Sequence, residues 1–490
     1  MNKRIKSSKE IADIKADKLF LTKNFGRLAA MAFIASCAVN LITYLAFKAT
    51  LRYSPSDYVK YTLIYMGILI FLLLPSIYYI SRNLHRFSNI ERDFSIILTT
   101  FGITLGLCIL SAYMVGAYIM PVVLIAMLIA VTVDKKTAAL ISTMTGLAVF
   151  SYYLLVLKDK VLLESVASLL SATVAGLMFC ILFEQSHTRW RFALNGLYIA
   201  GISGAICALS AMFDGFEVRG ILIAAFSGIA SIFISMGFFW VLLPIYEGIF
   251  KISTKFLLAE LCSLEAPLMK RLMNEAPGTY AHSLMVGNIA ESCAMVIGES
   301  PMLARAGGYY HDIGKLKKPN FFTENQIDGV NPHDEFIPEV SLRLILDHVK
   351  NGRELAAQYK LPSELIDIIT QHHGTTAVNY FYYKVQNITE KLLRDDAFRY
   401  DGPRPQSKIA AIIMLVDTVE AALRTKVCNS DEERREYIHS LIKEKIDKGQ
   451  FGECNITLKD LQLIEDTLVE IIPSQQHTRV EYKKAKTNNA

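Results

Sequence analysis

The sequence predicts an all-α protein in two parts, a polytopic membrane bundle of about eight helices followed by an all-α soluble domain. Three observations carry this. Hydrophobic residues make up 52% of the 490 residues and the mean hydropathy is +0.32, high for a water-soluble chain. Charge is absent from residues 95–133 and dense from 251 to 490. The soluble part keeps helical spacing, with no convincing period-two run.

Residues 1–27 form a basic flank, eight Lys or Arg against three Asp or Glu, which suits the cytosolic side of a first membrane helix. Its late, long apolar run argues against a cleavable leader. Eight nearly charge-free runs follow at 28–47, 62–81, 95–117, 119–133, 137–157, 161–183, 192–213 and 220–243; crossing a bilayer takes about 20 such residues. The fourth is short and begins beside Pro121, so 95–133 reads either as two helices in a tight hairpin or as one helix plus a re-entrant segment.

With the N-terminus inside, the inner flank and loops hold fifteen basic residues and the outer loops six, the bias expected of short loops. Eight crossings place residues 28–250 in the membrane and return the chain to the cytosol at 251, both termini inside the plasma membrane. No outer loop has room for a folded domain. The spans lack paired ionisable groups, which disfavours a transport path. The eight cysteines are scattered without a CxxC pair, so reduced thiols are expected.

Residues 251–475 form the soluble domain, and the polar tail 476–490 is expected to be disordered. Met285, Ile289, Cys293 and Val296 recur at helical spacing, as do Leu342, Ile345, Leu346 and Val349, then Leu365, Ile368 and Ile369. On or beside these faces lie histidines, six of the chain's ten falling between His282 and His373. Asp417 interrupts the apolar run AAIIMLV, where an unpaired carboxylate is severely unfavourable. A metal ion meets that need, and imidazoles with carboxylates suit Mn, Fe or Zn. The doublets His311-Asp312 and His372-His373 put two donors on one short piece of backbone, because neighbouring helical side chains diverge by about 100°. His282, His311, Asp312, His348, His372, His373 and Asp417 are about what two ions share through one bridging carboxylate.

From about Leu257 onward the chain resembles the PgpH-type, seven-transmembrane-HD family of cyclic di-AMP phosphodiesterases. The matching stretches are EAPGTYAHSLMVGNIAE, YYHDIGKLKKPNFFTENQ, NPHD, HVKNG, QHHGTT, FRYDGPRPQSK and MLVDTVEA. The resemblance extends upstream through LLPIYEGIF and the last seven spans. It implies an HD domain in which those seven residues are the metal ligands, with Asp312 bridging; the expected cofactors are two metal ions, Mn²⁺ or Fe²⁺/Fe³⁺, and the expected catalytic residues His311, Asp312 and Lys315. One departure is large: members commonly carry an extracellular domain between the first two helices, and here about fourteen residues join them.

Such a centre activates water and stabilises the leaving oxygen of an in-line displacement, so no Ser or Cys nucleophile is needed. The expected partners are a cyclic dinucleotide and the lipid bilayer, without a DNA or RNA polymer; a homodimer is left open. Lys315, three residues after Asp312, is placed to neutralise phosphate charge, and Arg404 and Lys408 to meet a second phosphate. Tyr309, Tyr310, Tyr380, Phe381, Tyr382 and Tyr383 offer stacking surfaces, and His333 reads as a supporting residue. A cyclic di-GMP hydrolase of the GYP type is disfavoured, because HHGTTAVNYFYYK follows the histidine pair. The alternatives are a membrane receptor whose HD domain binds a nucleotide without cleaving it, and hydrolysis of another cyclic dinucleotide.

Overall fold

A computed structural model describes residues 41, 55–82, 90–156, 162–183, 189–326, 331–378, 398–426, 428 and 430–475. The N-terminal flank, the apolar run 28–47, the aromatics Tyr380 to Tyr383 and the tail 476–490 lie outside them. Two compact units meet between Ile252 and Ser253. Among the described residues every regular element is helical, with one isolated bridge between Ala377 and Arg399. The seven described cysteines are free thiols.

The first unit holds α1 (Pro55–Arg82), α2 (Ile90–Met114), α3 (Leu124–Thr132), α4 (Lys135–Val156), α5 (Leu162–Phe183), α6 (Arg189–Phe213) and α7 (Val218–Phe250). Four stretches, Glu91–Ala112, Lys135–Leu155, Trp190–Phe213 and Val218–Phe250, are long and apolar enough to cross a membrane. Their outward faces carry Leu197, Phe226, Phe233 and Val241 exposed, the surface a lipid phase accepts and water does not. This is a membrane protein.

The fourth apolar run is not a full helical span. α3 has nine residues, about 14 Å at 1.5 Å per residue, against a hydrocarbon core of about 30 Å. Gly116 at φ 145° and the ring of Pro121 interrupt the helix ahead of it. Leu124 to Ile129 are all buried, and α3 packs against α2, α4, α5 and α7. The Ser231 hydroxyl donates to the Met120 carbonyl at 2.5 Å, satisfying an acceptor released by the break.

The second unit contains α8 (Lys255–Leu261), α9 (Pro267–Glu275), α10 (Pro277–Val296), α11 (Pro301–Tyr310), α12 (Pro338–Gln358), α13 (Ser363–Gln371), α14 (Lys408–Thr425), α15 (Asp431–Asp447) and α16 (Leu458–Gln475). Proline at the first helical position starts α9, α10, α11 and α12, where its missing N–H is no loss. Ser300, Ser407 and Ser430 cap α11, α14 and α15 by accepting a backbone N–H. The core gathers Ile289 and Cys293 of α10, Ile412, Ile413 and Val416 of α14 and Ile464 and Leu468 of α16, all buried. Each such side chain contributes roughly 1.5–3 kcal/mol by leaving water. α10 and α11 approach through Gly287 and Gly308; a Cβ on Gly308 would meet the Gly287 backbone.

Candidate metal centre

Five separate pieces of backbone bring the seven expected groups to one place. His282 comes from α10. His311 and Asp312 follow the last residue of α11, where the chain tightens into a 3₁₀ turn at Ile313–Lys317. His348 lies on α12, Asp417 on α14, and His372 and His373 follow α13, before Gly374 at φ 52° turns the chain away. The donor atoms fall into two groups, each with its atoms within 4.8 Å of one another: Asp312, His348, His372 and His373, and His282, His311 and Asp417.

Asp312 joins the two. Its Oδ1 lies 3.4 Å from His348 Nε2 and 3.8 Å from His372 Nε2. Its Oδ2 lies 3.2 Å from His311 Nε2 and 3.7 Å from His282 Nε2. Asp417 sits 3.0 Å from His282 Nε2, 3.8 Å from His311 Nε2 and 3.9 Å from His373 Nδ1.

The rings are held from behind. Nδ1 of His311, His348 and His372 each meets a carbonyl three residues earlier, that of Gly308, Ile345 and Ile369, at 2.8, 2.6 and 2.8 Å. A carbonyl only accepts, so each Nδ1 carries a proton and each Nε2 faces the centre. His282 Nδ1 instead faces Glu420 Oε2 at 2.7 Å. His311 Nε2 and Asp312 Oδ1 are buried without a hydrogen bond, a rare condition for polar atoms. Unmet lone pairs amid nitrogen and oxygen donors are what a divalent cation fits.

The two groups differ electrically. Burial and the neighbouring His311 drive His372 down to about 3, and burial with His372 and His348 holds His373 well below the usual range. Burial also lowers His348. Burial opposes the charged form of His311 too, but Asp312 and Asp417 outweigh it and raise it to about 10. His282 rises likewise, because hydrogen bonds to Asp417 and Glu420 overcome burial. Burial disfavours ionised Asp312, yet His311 and Lys315 keep it well below the ordinary carboxylate range.

Lys315 reaches the cluster, its ammonium 2.7 Å from Asp312 Oδ2 and 2.7 Å from Glu324 Oε1. Lys408 is not brought there. It pairs with Asp460 at 3.1 Å and Glu299 at 3.7 Å at the start of α14, nine residues and about 13 Å along the axis from Asp417. Arg404 stays beside the turn after His373, its Nε 3.4 Å from Thr375 Oγ1. His333 packs on Phe321 and meets that residue's carbonyl at 2.8 Å. Tyr310 is a core residue whose hydroxyl donates to the Leu261 carbonyl at 2.8 Å. Tyr309 packs on α10, a neighbour of Asn288.

Three contributors escaped the sequence reading. Glu420 lies three residues after Asp417 on the same helical face, a spacing that could have found it. Glu324 is delivered by the FTEN turn, fixed to α10 by Asn325 Oδ1 accepting from Thr279 N at 3.0 Å and Asn325 Nδ2 donating to Thr279 Oγ1 at 2.8 Å. Tyr400, within the FRYDGPRPQSK stretch, stacks on His373, centroids 4.3 Å apart at 22°.

Residues 59–254 match the family described as 7TM receptor with intracellular HD hydrolase, and residues 279–422 match the HD domain. The chain is 36% identical over 318 residues, 64% of its length and 44% of the relative's, to the cyclic-di-AMP phosphodiesterase PgpH of Bacillus subtilis. It is 43% identical to the protein of the same name from Listeria monocytogenes, over 49% of this chain and 33% of that one. The crystal structure of the L. monocytogenes PgpH HD domain in complex with cyclic-di-AMP aligns at 43% identity over 44% of this chain and 99% of that one, with a TM-score of 0.42. The chain thus spans less than half the length of these two curated relatives.

Proposed function

Because this chain belongs to the family of 7TM receptors with an intracellular HD hydrolase, joining that family's membrane region to an HD domain, we propose that it hydrolyses cyclic di-AMP to linear pApA. The observation that carries the reading is Asp312, whose two oxygens each serve a different set of imidazoles. In this reading the seven donors would hold two metal ions, Mn²⁺ or iron, with Asp312 shared between the two donor groups. When bound, such ions supply Lewis acidity to a phosphodiester and to water.

The chain's own residues supply the rest. His348, His372 and His373 are neutral at pH 7 and keep their donor atoms open. Lys315 brings positive charge beside Asp312, where a bound phosphate needs it. Tyr400 covers one face of His373 and limits access of water from that side. Arg189 and Arg191 mark the inner end of α6, and α6 and α7 return the chain to that side, which supports an HD domain facing the cytoplasm from the plasma membrane.

Three outcomes test this. Full-length protein purified in detergent and loaded with Mn²⁺ should convert cyclic di-AMP to pApA, followed by ion-exchange chromatography, and chelation should stop it. Metal-loaded protein that binds the dinucleotide and leaves it uncut would establish a receptor instead.

Glu420→Gln should weaken metal binding about 10–100-fold, the usual effect of removing a carboxylate behind a ligating imidazole. Metal titration followed by elemental analysis measures it. Wild-type affinity in that variant would mean that His282 is oriented without Glu420.

Metal binding should also release protons, because His311, raised from 6.5 to about 10, holds one that the ion must displace. Affinity should therefore climb with pH through that window. The same raised group stabilises the metal-free fold below 6.5, a contribution lost as pH approaches 10. Equal calorimetric heats in two buffers of different ionisation enthalpy would contradict the proton release.

A further inference from the structure

Backbone carbonyls hold three imidazoles of the centre and Glu420 holds His282, which leaves His373. Among the described residues no hydrogen bond reaches either of its ring nitrogens; Asp417 Oδ2 lies 3.9 Å from its Nδ1, and Tyr400 covers one face. The aim of this ring is therefore set mainly by its backbone. That backbone is a tight turn, in which the His373 carbonyl accepts from Thr376 N at 3.1 Å and from Thr376 Oγ1 at 2.8 Å, with Gly374 at φ 52° between them.

The turn is fixed in the domain by a residue 75 positions further along the chain. Gln450 Oε1 accepts from Thr375 N at 3.0 Å, and Gln450 Nε2 donates to Thr375 Oγ1 at 3.1 Å. One planar amide thus grips one residue by two bonds, and at 1% exposed it has no water to turn to instead. The same Oε1 lies against Gly374, where a Cβ would collide with it. Gln450 is itself held at its backbone, where α15 ends. Gly449 takes φ 63°, Gln450 N donates to the Lys445 carbonyl at 3.1 Å and Gly449 N to the Ile446 carbonyl at 2.8 Å, the paired bonds of a helix closed by a left-handed residue. The other bonds to Thr375 are longer and come from long, partly exposed cations: Arg404 Nε at 3.4 Å from Oγ1 and Arg399 at 3.3 Å from the carbonyl.

We propose that Gln450 is a positioning residue for the metal centre, setting the aim of His373 through Thr375 and so tying the Asp312, His348, His372 and His373 group to the end of α15. The inference rests on the reading of the seven groups as a two-metal centre. An amide suits the position because it accepts and donates at once. His282, His311 and Asp417 are carried by other segments, so the effect of Gln450 falls on one donor group.

The test titrates full-length protein in detergent with Mn²⁺, followed by calorimetry and elemental analysis. Gln450→Met keeps the length of the side chain and can make neither bond. Gln450→Asn is polar but one methylene short of making both. Gln450→Glu keeps the acceptor for Thr375 N. Wild type should take up two ions. In Gln450→Met one of the two binding steps should weaken about tenfold or more while the other stays within about twofold, the size of effect expected when a group that orients a ligand is removed. Gln450→Asn should show the same selective loss, which keeps the test decisive if the methionine variant does not fold. Gln450→Glu should return the weakened step to within about threefold of wild type. Equal weakening of both steps would reduce Gln450 to general support of the fold and overturns the proposal, as do unweakened steps in the methionine and asparagine variants. A glutamate variant as impaired as the methionine one overturns it too, since the bond to Thr375 N would then contribute nothing. A wild type that binds fewer than two ions removes the reading of the centre, and the proposal with it.

Discussion

Asp312→Ala is expected to reduce cyclic di-AMP hydrolysis by about 10³-fold or more, the loss typical of a group that the whole reacting centre shares. Asp312 lies between the two donor groups, its side chain reaching four imidazoles and the Lys315 ammonium. Removing it deletes a donor from each group at once. It also leaves Lys315 buried with only Glu324 as counter-ion. Single-turnover assays of the purified full chain, with circular dichroism to verify helix content, measure the effect. Activity within tenfold of wild type in a well-folded variant would end the bridging role.

Gly314→Ala should be nearly as damaging without touching a donor. A Cβ at residue 314 would run into the carbonyl oxygen of His348 and lie close to the backbone nitrogen of Gly352. Both are rigid parts of α12, so the 3₁₀ turn that carries Asp312 must move away from the helix that carries His348. Overpacking of this kind costs about 1–3 kcal/mol, and in a domain of this size it lowers the melting temperature by roughly 2–4 °C per kcal/mol. The displacement should reduce metal affinity as well, since the site spans that contact. Differential scanning fluorimetry with and without Mn²⁺ reads both; a wild-type melt and metal response would show that the turn has room to spare.

The cluster was legible because its residue types are scarce and badly placed unless used. Asp417 stands inside an apolar helix, and His282 and His372 lie on helical faces otherwise filled by Met285, Ile289, Leu365 and Ile368. Burial of an ionisable group is a strong constraint, and it can be read from neighbours in sequence. Lys408 and Arg404 carried no such constraint. A cation outside an apolar run reveals nothing about its partner, and Asp460 and Glu299, which claim Lys408, are distant in the chain. Glu324 was hidden for the same reason, since only the third dimension sets it behind Lys315, whereas the spacing of Glu420 from Asp417 on one helix face was a readable signal.

The His311-Asp312 doublet was expected to diverge as two helical residues do. Instead α11 ends at Tyr310, and Asp312 takes φ −107° and ψ 14°, which turns its carboxylate between the two sets of rings. Hydropathy alone left two readings open near Pro121, a second full helix or a re-entrant segment. A run of apolar residues is the same string whether it faces lipid or is wrapped by other helices, and α3 is wrapped.

The backbone carbonyls behind His311, His348 and His372 divide the imidazoles into two kinds. Those three are steered by the peptide three residues upstream, so each travels with its own segment and keeps its aim if helices slide by a fraction of an ångström. His282 is steered by Glu420, on a different helix, and its aim depends on the register between α10 and α14. A relative shift of these two helices therefore reaches the centre through the His282 ring and through Asp417, which α14 itself carries, leaving the three carbonyl-held rings pointed as before.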